Sequence, residues 1–356
     1  MKRRRTAALV FDILALVLVL FPILVGGAWI HRPGLTLELT QVTVPVILVA
    51  LFAYRMKITS STSRVLRISK NAFFRWQRFL SQKPVFALAY ATVFVSLLWT
   101  VTSLRRHWSL QSDGFDLGIF TNAIWNLTHG NGYLSSMKGG VNLFVDHQSA
   151  IFWLFAPIFS IFPYAETLLV AQAIGLALGA AAVFVLGNQY RKSRGGQGSS
   201  ILLATLPLLY WAYLPLRRAN GYDFHPEVFM LPLFLWAIAG VHSGDRQFGA
   251  PWKNFLGWIC FILALSCKES AGPVAMGIGL SWCLGAAPGF KRKTVAGGAA
   301  IFLGASVFIF DLKIAPALFE NHYAYGSLYQ HLFSASGLGA LIHDWFSSLL
   351  GWSRLR

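Results

Sequence analysis

Charge is scarce in this chain of 356 residues: Asp, Glu, Lys and Arg together make up 12%, about half the share found in an ordinary soluble domain. Acids are scarcer still, 13 against 30 bases. A soluble fold needs a charged surface, and this composition does not supply one. Cysteine is nearly missing. Cys260, Cys267 and Cys283 all lie inside apolar stretches, which excludes a secreted domain stapled by disulfides. An HExxH zinc motif and a phosphate-binding P-loop are also absent, so two familiar enzyme classes have no support. What the chain has in abundance is apolar: 56% hydrophobic residues, with 29 Phe and 13 Trp, grouped in long blocks. Such grouping marks membrane spans rather than one globular core.

The formal net charge of +17 would suit a nucleic-acid binder if the bases formed a soluble domain. They do not. They gather in short loops between apolar blocks, as expected where Lys and Arg are retained on the cytoplasmic side. A nucleic-acid partner is therefore excluded as the reason for the charge. MKRRR precedes an apolar stretch, Ala7 to Ile30, that is too long for a signal-peptide core. It reads as a span leaving the cytoplasm, and Val42 to Tyr54 as its return. From Arg55 to Lys83 the chain carries eight bases and no acid. In that loop RVLRISKNAFFRWQRFL mixes bases with aromatics and aliphatics, a pattern suited to a helix lying on anionic inner-leaflet lipids.

Pro84 to Leu104 then crosses outward, and Arg105 to Ala150 forms a long polar external loop. Ile151 to Phe162 is apolar but short, with Pro157 inside it, and fits a re-entrant or interfacial helix. Further spans follow at Leu168–Leu186, Ile201–Leu216, Val228–Val241, Phe255–Ser266, Pro273–Leu284 and Val295–Phe310, with a last apolar patch at Leu338–Leu350. The expectation is an all-α polytopic membrane protein with about 8–10 transmembrane helices. Its N-terminus is cytoplasmic. Residues 1–83 form a helical hairpin with a basic loop, and residues 84–356 form the main transmembrane domain. In this layout 20 bases lie inside and eight outside, while ten of the 13 acids lie outside or at outer span ends. The acids were not used to orient the chain, so their sorting is partly independent support.

Polar clusters converge on the external side. The first is SDGFDLGIFTNAIWNLTHGNGY, with Asp113 and Asp116; the second is VDHQ, with Asp146 and His147; the third is YDFHPE, with Asp223, His225 and Glu227. Lys268 and Glu269 form a fourth, and FENHYAYG adds Glu320, His322 and Tyr325. Ionisable groups at membrane depth are costly, so a gathering of them is a site hypothesis. Asp116 is followed by apolar Leu117, Ile119, Phe120, Ile124 and Trp125, and the 116, 119, 120, 123 and 124 spacing puts a polar residue at the head of an amphipathic helix. Asp116 or Asp113 is then either a helix cap or a base or metal ligand facing a cavity. Asp146, His147, Asp223 and His225 offer oxygen and nitrogen ligands for a divalent ion such as Mg, Mn or Zn. Their bland role is to cap helices, and Pro226 does suit the first turn of the next one. The bland role of Lys268 and Glu269 is to neutralise each other at a helix end. The Gly and Ala of GLALGA and of the other spans serve close helix packing.

FDLGIFTNAIWNL, VDHQSAIFWLFAPIFSIFP, YDFHPEVFMLPLFLWAI and the CKES turn resemble the DUF2079 family of predicted membrane proteins, from about Phe86 onward. That family usually shows DHF where this chain has Asp146-His147-Gln148. It is grouped with the GT-C glycosyltransferases, which include protein mannosyltransferases and aminoarabinose transferases. The resemblance implies a GT-C-like helix bundle whose long first external loop bears short juxtamembrane helices, continuing for further spans beyond this chain. It implies transfer of a sugar from a polyprenyl-phosphate donor to an acceptor at the external face of a prokaryotic plasma membrane. The essential acid would be Asp116, with Asp113 second. Arg217, Arg218 and Lys268, near Glu227 and Glu269, would meet the lipid phosphate and substrate. Two other function classes compete. A transporter or flippase would also use intramembrane charges, although the two halves show no repeat. A non-catalytic assembly protein would need none of them.

The layout is open to test by single-cysteine labelling in intact cells. A Cys at Ser69 should resist an impermeant thiol reagent and a Cys at Ser109 should react. Labelling at position 69 from outside would overturn the orientation.

Overall fold

The computed structural model describes residues 28–32, 35–39, 84–146, 148–196, 200–243, 251–285 and 293–318. The chain divides into two compact units, Met1–Val93 and Phe94–Arg356. In the first unit, β1 (Ala28–Arg32) pairs antiparallel with β2 (Leu35–Leu39), Ala28 opposite Leu39 and Arg32 opposite Leu35. This corrects one expectation: the apolar stretch read as helical to Ile30 is strand from Ala28. Leu35, Leu37 and Leu39 alternate with Thr36 and Glu38, a period-two pattern that suits a strand. The remaining residues before Pro84, including the basic loop, lie outside the described residues, as do Asp12, the FENHYAYG segment and the patch at Leu338–Leu350.

Among the other described residues the regular elements are helical apart from one tiny hairpin. α1 (Pro84–Trp108) begins at a proline, which needs no helical N–H there. α2 (Gly114–Thr128) lies in the long polar segment. β3 (Leu134–Ser135) and β4 (Val141–Asn142) pair beside it, and α3 (Leu143–Asp146) follows. Next come α4 (Phe152–Ile161), α5 (Ala165–Ser193), α6 (Ser200–Ala212) and α7 (Leu214–Asn220). A 3₁₀ turn (Pro226–Phe229) leads into α8 (Met230–Ser243). α9 (Pro251–Leu265), α10 (Ala271–Leu284) and α11 (Thr294–Ile309) complete the bundle, and a π turn (Phe310–Ile314) links α11 to α12 (Ala315–Leu318).

Among the described residues three helical stretches are long and apolar enough to span a bilayer: Pro84–Trp108, Ala165–Ser193 and Thr294–Leu318, of 25, 29 and 25 residues. At about 1.5 Å per residue each exceeds the roughly 30 Å hydrocarbon thickness. The chain is an all-α membrane protein. α4 has only 10 residues, so it reaches about 15 Å and is half a span in length. The stretch Ile201–Leu216, expected as one span, breaks at Tyr213 instead. Pro215 lies in the first turn of α7, where its ring is tolerated and a continuous helix is not.

Two apolar cores organise the second unit. One joins α2, α4 and α5 through Phe120, Phe152, Phe159, Leu168 and Phe224. The other joins α8 to α11 through Phe234, Phe261, Ala264, Ala275, Trp282 and Ala300. Within the second core the helices touch backbone to backbone. A Cβ on Gly240 would lie 2.5 Å from Gly257 Cα, and one on Gly279 would lie 2.6 Å from the Gly297 carbonyl oxygen. Gly272 and Gly304 oppose each other in the same way. In GLALGA, Gly175 makes room for Phe229 and Gly179 for the Tyr210 hydroxyl. Small residues at such seams let dispersion act across lipid-embedded helices that have no hydrophobic driving force toward one another.

Gly277 and Gly279 provide a matched test on one helix. A Cβ at Gly277 meets nothing within 4 Å, so Gly277→Ala should raise stability by about 0.5–1 kcal/mol through helix propensity alone. Gly279→Ala should lower it by roughly 1–3 kcal/mol, because backbone must move. Thermal unfolding of detergent-solubilised protein should show midpoints shifting in opposite directions.

Candidate functional site

The site is built where α1 ends and α2 begins. Arg105, Arg106 and His107 fall in the last turn of α1, where cations suit the helix dipole. Asp113 precedes α2 as its N-cap, with its side chain accepting from the Phe115 N–H at 2.9 Å. Of the two acids nominated for this helix, Asp113 is therefore the cap. Asp116 sits one turn further on, half exposed.

The loop between α7 and the 3₁₀ turn supplies the other wall. Asp223 is buried, and its side chain joins α1 to α2. Arg106 donates to Asp223 Oδ1 at 2.6 Å, and the Asp113 N–H donates to Asp223 Oδ2 at 2.6 Å. Tyr222, next to it, turns outward and donates its hydroxyl to Asp116 Oδ2 at 2.9 Å. That hydrogen bond, and then the charge of Asp116, raises the Tyr222 phenol above its ordinary value, so Tyr222 remains a donor at neutral pH. The Arg106 guanidinium lies 5.7 Å from the Tyr222 ring centroid, within cation–π range. The His225 ring rests against Phe120 and Tyr222, each at 5.5 Å, with Nδ1 3.1 Å from the Asp223 carbonyl oxygen.

Gln172, fully buried in α5, fixes this loop from beneath. Its amide N–H groups donate to the Ala219 and Tyr222 carbonyls at 3.0 and 3.3 Å, and its oxygen accepts from the His225 N–H at 3.1 Å. Asn220 donates to the Trp99 carbonyl at 3.1 Å. The structure thus brings Asp113, Asp116, Asp223 and His225 together. Asp223 uses both oxygens in construction and Asp113 caps, which leaves Asp116 as the carboxylate not needed for either job. Among the described residues no cation pairs with Asp116, and no three His, Cys, Asp or Glu side chains gather as a metal-binding group.

The other nominated residues fall elsewhere. On α7, Arg217 is half-buried and Arg218 exposed, five and four residues before Tyr222. Lys268 pairs with Glu227 at 2.9 Å, not with Glu269, its partner in the bland reading. Chain adjacency favoured Glu269, but the turn after α9 directs Lys268 to the 3₁₀ turn. Glu269 is buried. Asp146 ends α3, and its side chain, like the whole of His147, lies outside the described residues. Sequence reasoning passed over Arg106, Gln172 and Tyr222. Gln172 carried a signal, being a primary amide in the middle of an apolar span.

A family model for predicted membrane proteins, DUF2079, matches residues 106–352. The match covers most of the chain, and the chain belongs to that family. No curated protein and no solved structure matches it.

The Asp223–Arg106 pair has a measurable consequence for folding. Arg106→Ala would leave a buried carboxylate without its cation, at a cost on the order of 3 kcal/mol. Arg218→Ala, at an exposed position, should stay within about 0.5 kcal/mol. Unfolding midpoints in detergent check both, and equal midpoints would show that the pair contributes nothing.

Proposed function

We propose that this DUF2079 protein is a membrane glycosyltransferase that moves a sugar from a polyprenyl-phosphate donor to an acceptor hydroxyl at the external face, with Asp116 as its base. The observation that carries this reading is the division of labour among the three aspartates. Asp113 caps α2, Asp223 pairs with Arg106, and Asp116, partly exposed, is held among the described residues by the Tyr222 hydroxyl alone. A carboxylate oriented by a neutral donor retains a lone pair for a substrate proton. The resemblance of this family's motifs to GT-C enzymes supports the substrate class.

In the proposed reaction the acceptor hydroxyl gives its proton to Asp116 while its oxygen attacks the anomeric carbon. The bond from that carbon to the phosphate oxygen breaks, and polyprenyl phosphate departs with the bonding pair. Arg217 and Arg218 are the cations proposed for that phosphate, since guanidinium matches phosphate geometry. Lys268 is less suited because Glu227 already holds it at 2.9 Å. A divalent ion would assist departure by the same electrostatics.

Asp116→Asn decides the central role. Asn still accepts the Tyr222 hydrogen bond and gives up only the roughly 0.3–1 kcal/mol by which a first-turn acid favours the helix dipole, so yield should hold and the unfolding midpoint should move little. Transfer from a radiolabelled lipid-linked sugar should fall by about 100-fold or more. Unchanged transfer by a normally folded variant would remove Asp116 from the chemistry. Failure of the unmodified full-length protein to transfer from any polyprenyl-linked sugar would remove the reading itself.

A further inference from the structure

The chain leaves α1 through a turn that ordinarily calls for glycine. The Gln111 N–H donates to the Arg106 carbonyl at 3.1 Å, and the Leu110 N–H donates to the His107 carbonyl at 3.0 Å. This pair of bonds is a Schellman cap, in which the donor of the shorter-range bond takes the left-handed conformation. Here that residue is Leu110, with φ 56°. A side chain in this conformation crowds the following carbonyl oxygen, and glycine escapes the cost. The rest of the chain keeps to glycine. Every other described residue with positive φ is one, and Gly285 closes α10 with φ 64°.

Nothing within the protein compensates the leucine. Leu110 is 93% exposed, the highest fraction among the large apolar side chains described. The turn is also held from its far side, where His107 Nδ1 lies 3.1 Å from the Ser112 hydroxyl. What the side chain meets is indicated by its surroundings. Exposed Phe94, Leu97 and Val101 follow at helical spacing along α1 and lead to Trp108, 65% exposed. α1 has 25 residues, about 37 Å at the helical rise against roughly 30 Å of hydrocarbon. Its last residue therefore falls at the membrane interface, where Trp and Tyr collect. The Trp108 indole N–H donates to Glu166 Oε1 at 3.2 Å, in the first turn of α5, and Tyr164 just before α5 is 63% exposed. Two membrane-length helices thus meet at one level, each marked by an interfacial aromatic, and Leu110 stands two residues beyond that mark.

We propose that Leu110 inserts among the phospholipid acyl chains of the adjoining leaflet, so that the α1–α2 turn is a membrane anchor. Burial of the leucine in lipid offsets its backbone strain; a glycine would relieve the strain and forfeit the anchor. The segment from Arg105 onward was expected as a polar loop, and in this reading its first turn dips back into lipid. The start of α2, with Asp113 and Asp116, is thereby held at the membrane surface. The proposal does not depend on the glycosyltransferase reading.

Electron paramagnetic resonance measures the depth. Full-length protein with its three cysteines replaced and a spin label on Leu110→Cys is placed in phosphatidylcholine–phosphatidylglycerol vesicles that contain no lipid-linked sugar. Oxygen, which concentrates among acyl chains, should relax this label several-fold more than a water-soluble nickel chelate does, as for a label on lipid-facing Val101→Cys. Relaxation mainly by the chelate would overturn the proposal by placing the turn in water. Weak relaxation by both agents would overturn it by showing that protein, such as a second copy of the chain, covers the residue. A second measurement needs no substitution. Phospholipid with a diazirine on its acyl chain is photolysed in vesicles holding the unmodified protein, and Leu110 should carry adducts. Adducts on α1 and α5 that leave Leu110 unlabelled would overturn the proposal as well.

Discussion

The buried carboxylate of Asp223 is the constraint on which the candidate site depends. An ionised acid away from water is costly unless it is paired and hydrogen-bonded. Here one oxygen meets Arg106 from the end of α1 and the other meets the Asp113 N–H at the start of α2. A single side chain supplied from a distant loop therefore ties the end of one helix to the start of the next. That loop is itself held by Gln172 in α5. With Asp223 fixed, Tyr222 has nowhere to turn but outward, toward Asp116. The hydrogen bond that Asp116 accepts thus comes from the same loop that the buried acid anchors.

Away from this corner the bundle is held by proximity rather than by polar contacts. Gly240 against Gly257, and Gly279 against Gly297, bring helix backbones together so closely that a methyl group does not fit. Phe120, Phe152 and Phe224 fill the space beneath the site in offset and edge-on contacts of 5.6–5.9 Å. The polar corner thus rests on a rigid aromatic floor.

Much of this was legible in the sequence and some was not, for identifiable reasons. The period of Leu117, Phe120, Ala123 and Ile124 announces α2, and Pro226 announces the turn before α8. The glycine-rich spans announce close packing. The choice between Asp113 and Asp116 as cap was not legible. Both stand near the helix start, and the choice is made by Asp223, more than 100 residues away in sequence. Tyr222 was missed although it opens the YDFHPE motif, because the ionisable residues beside it drew the reading, and Arg106 was missed because it lies outside the motifs; each acquires its role only from the fold. Lys268 was assigned to Glu269 by adjacency, and the tertiary turn gave it to Glu227. The break at Tyr213 was visible in Pro215 but was outweighed by the apolar run around it.

Arg106 and Asp223 are 117 residues apart, and a membrane protein is inserted as it is made. At a synthesis rate of roughly 5–20 residues per second, Arg106 leaves the ribosome on the order of ten seconds before its partner exists. During that interval α1 has its cationic end without the carboxylate that later buries it. α5 enters the bilayer with Gln172 before there is a loop for it to grip. The corner around Asp116 is consequently assembled late in biogenesis, when the 221–225 loop arrives and closes three waiting elements at once.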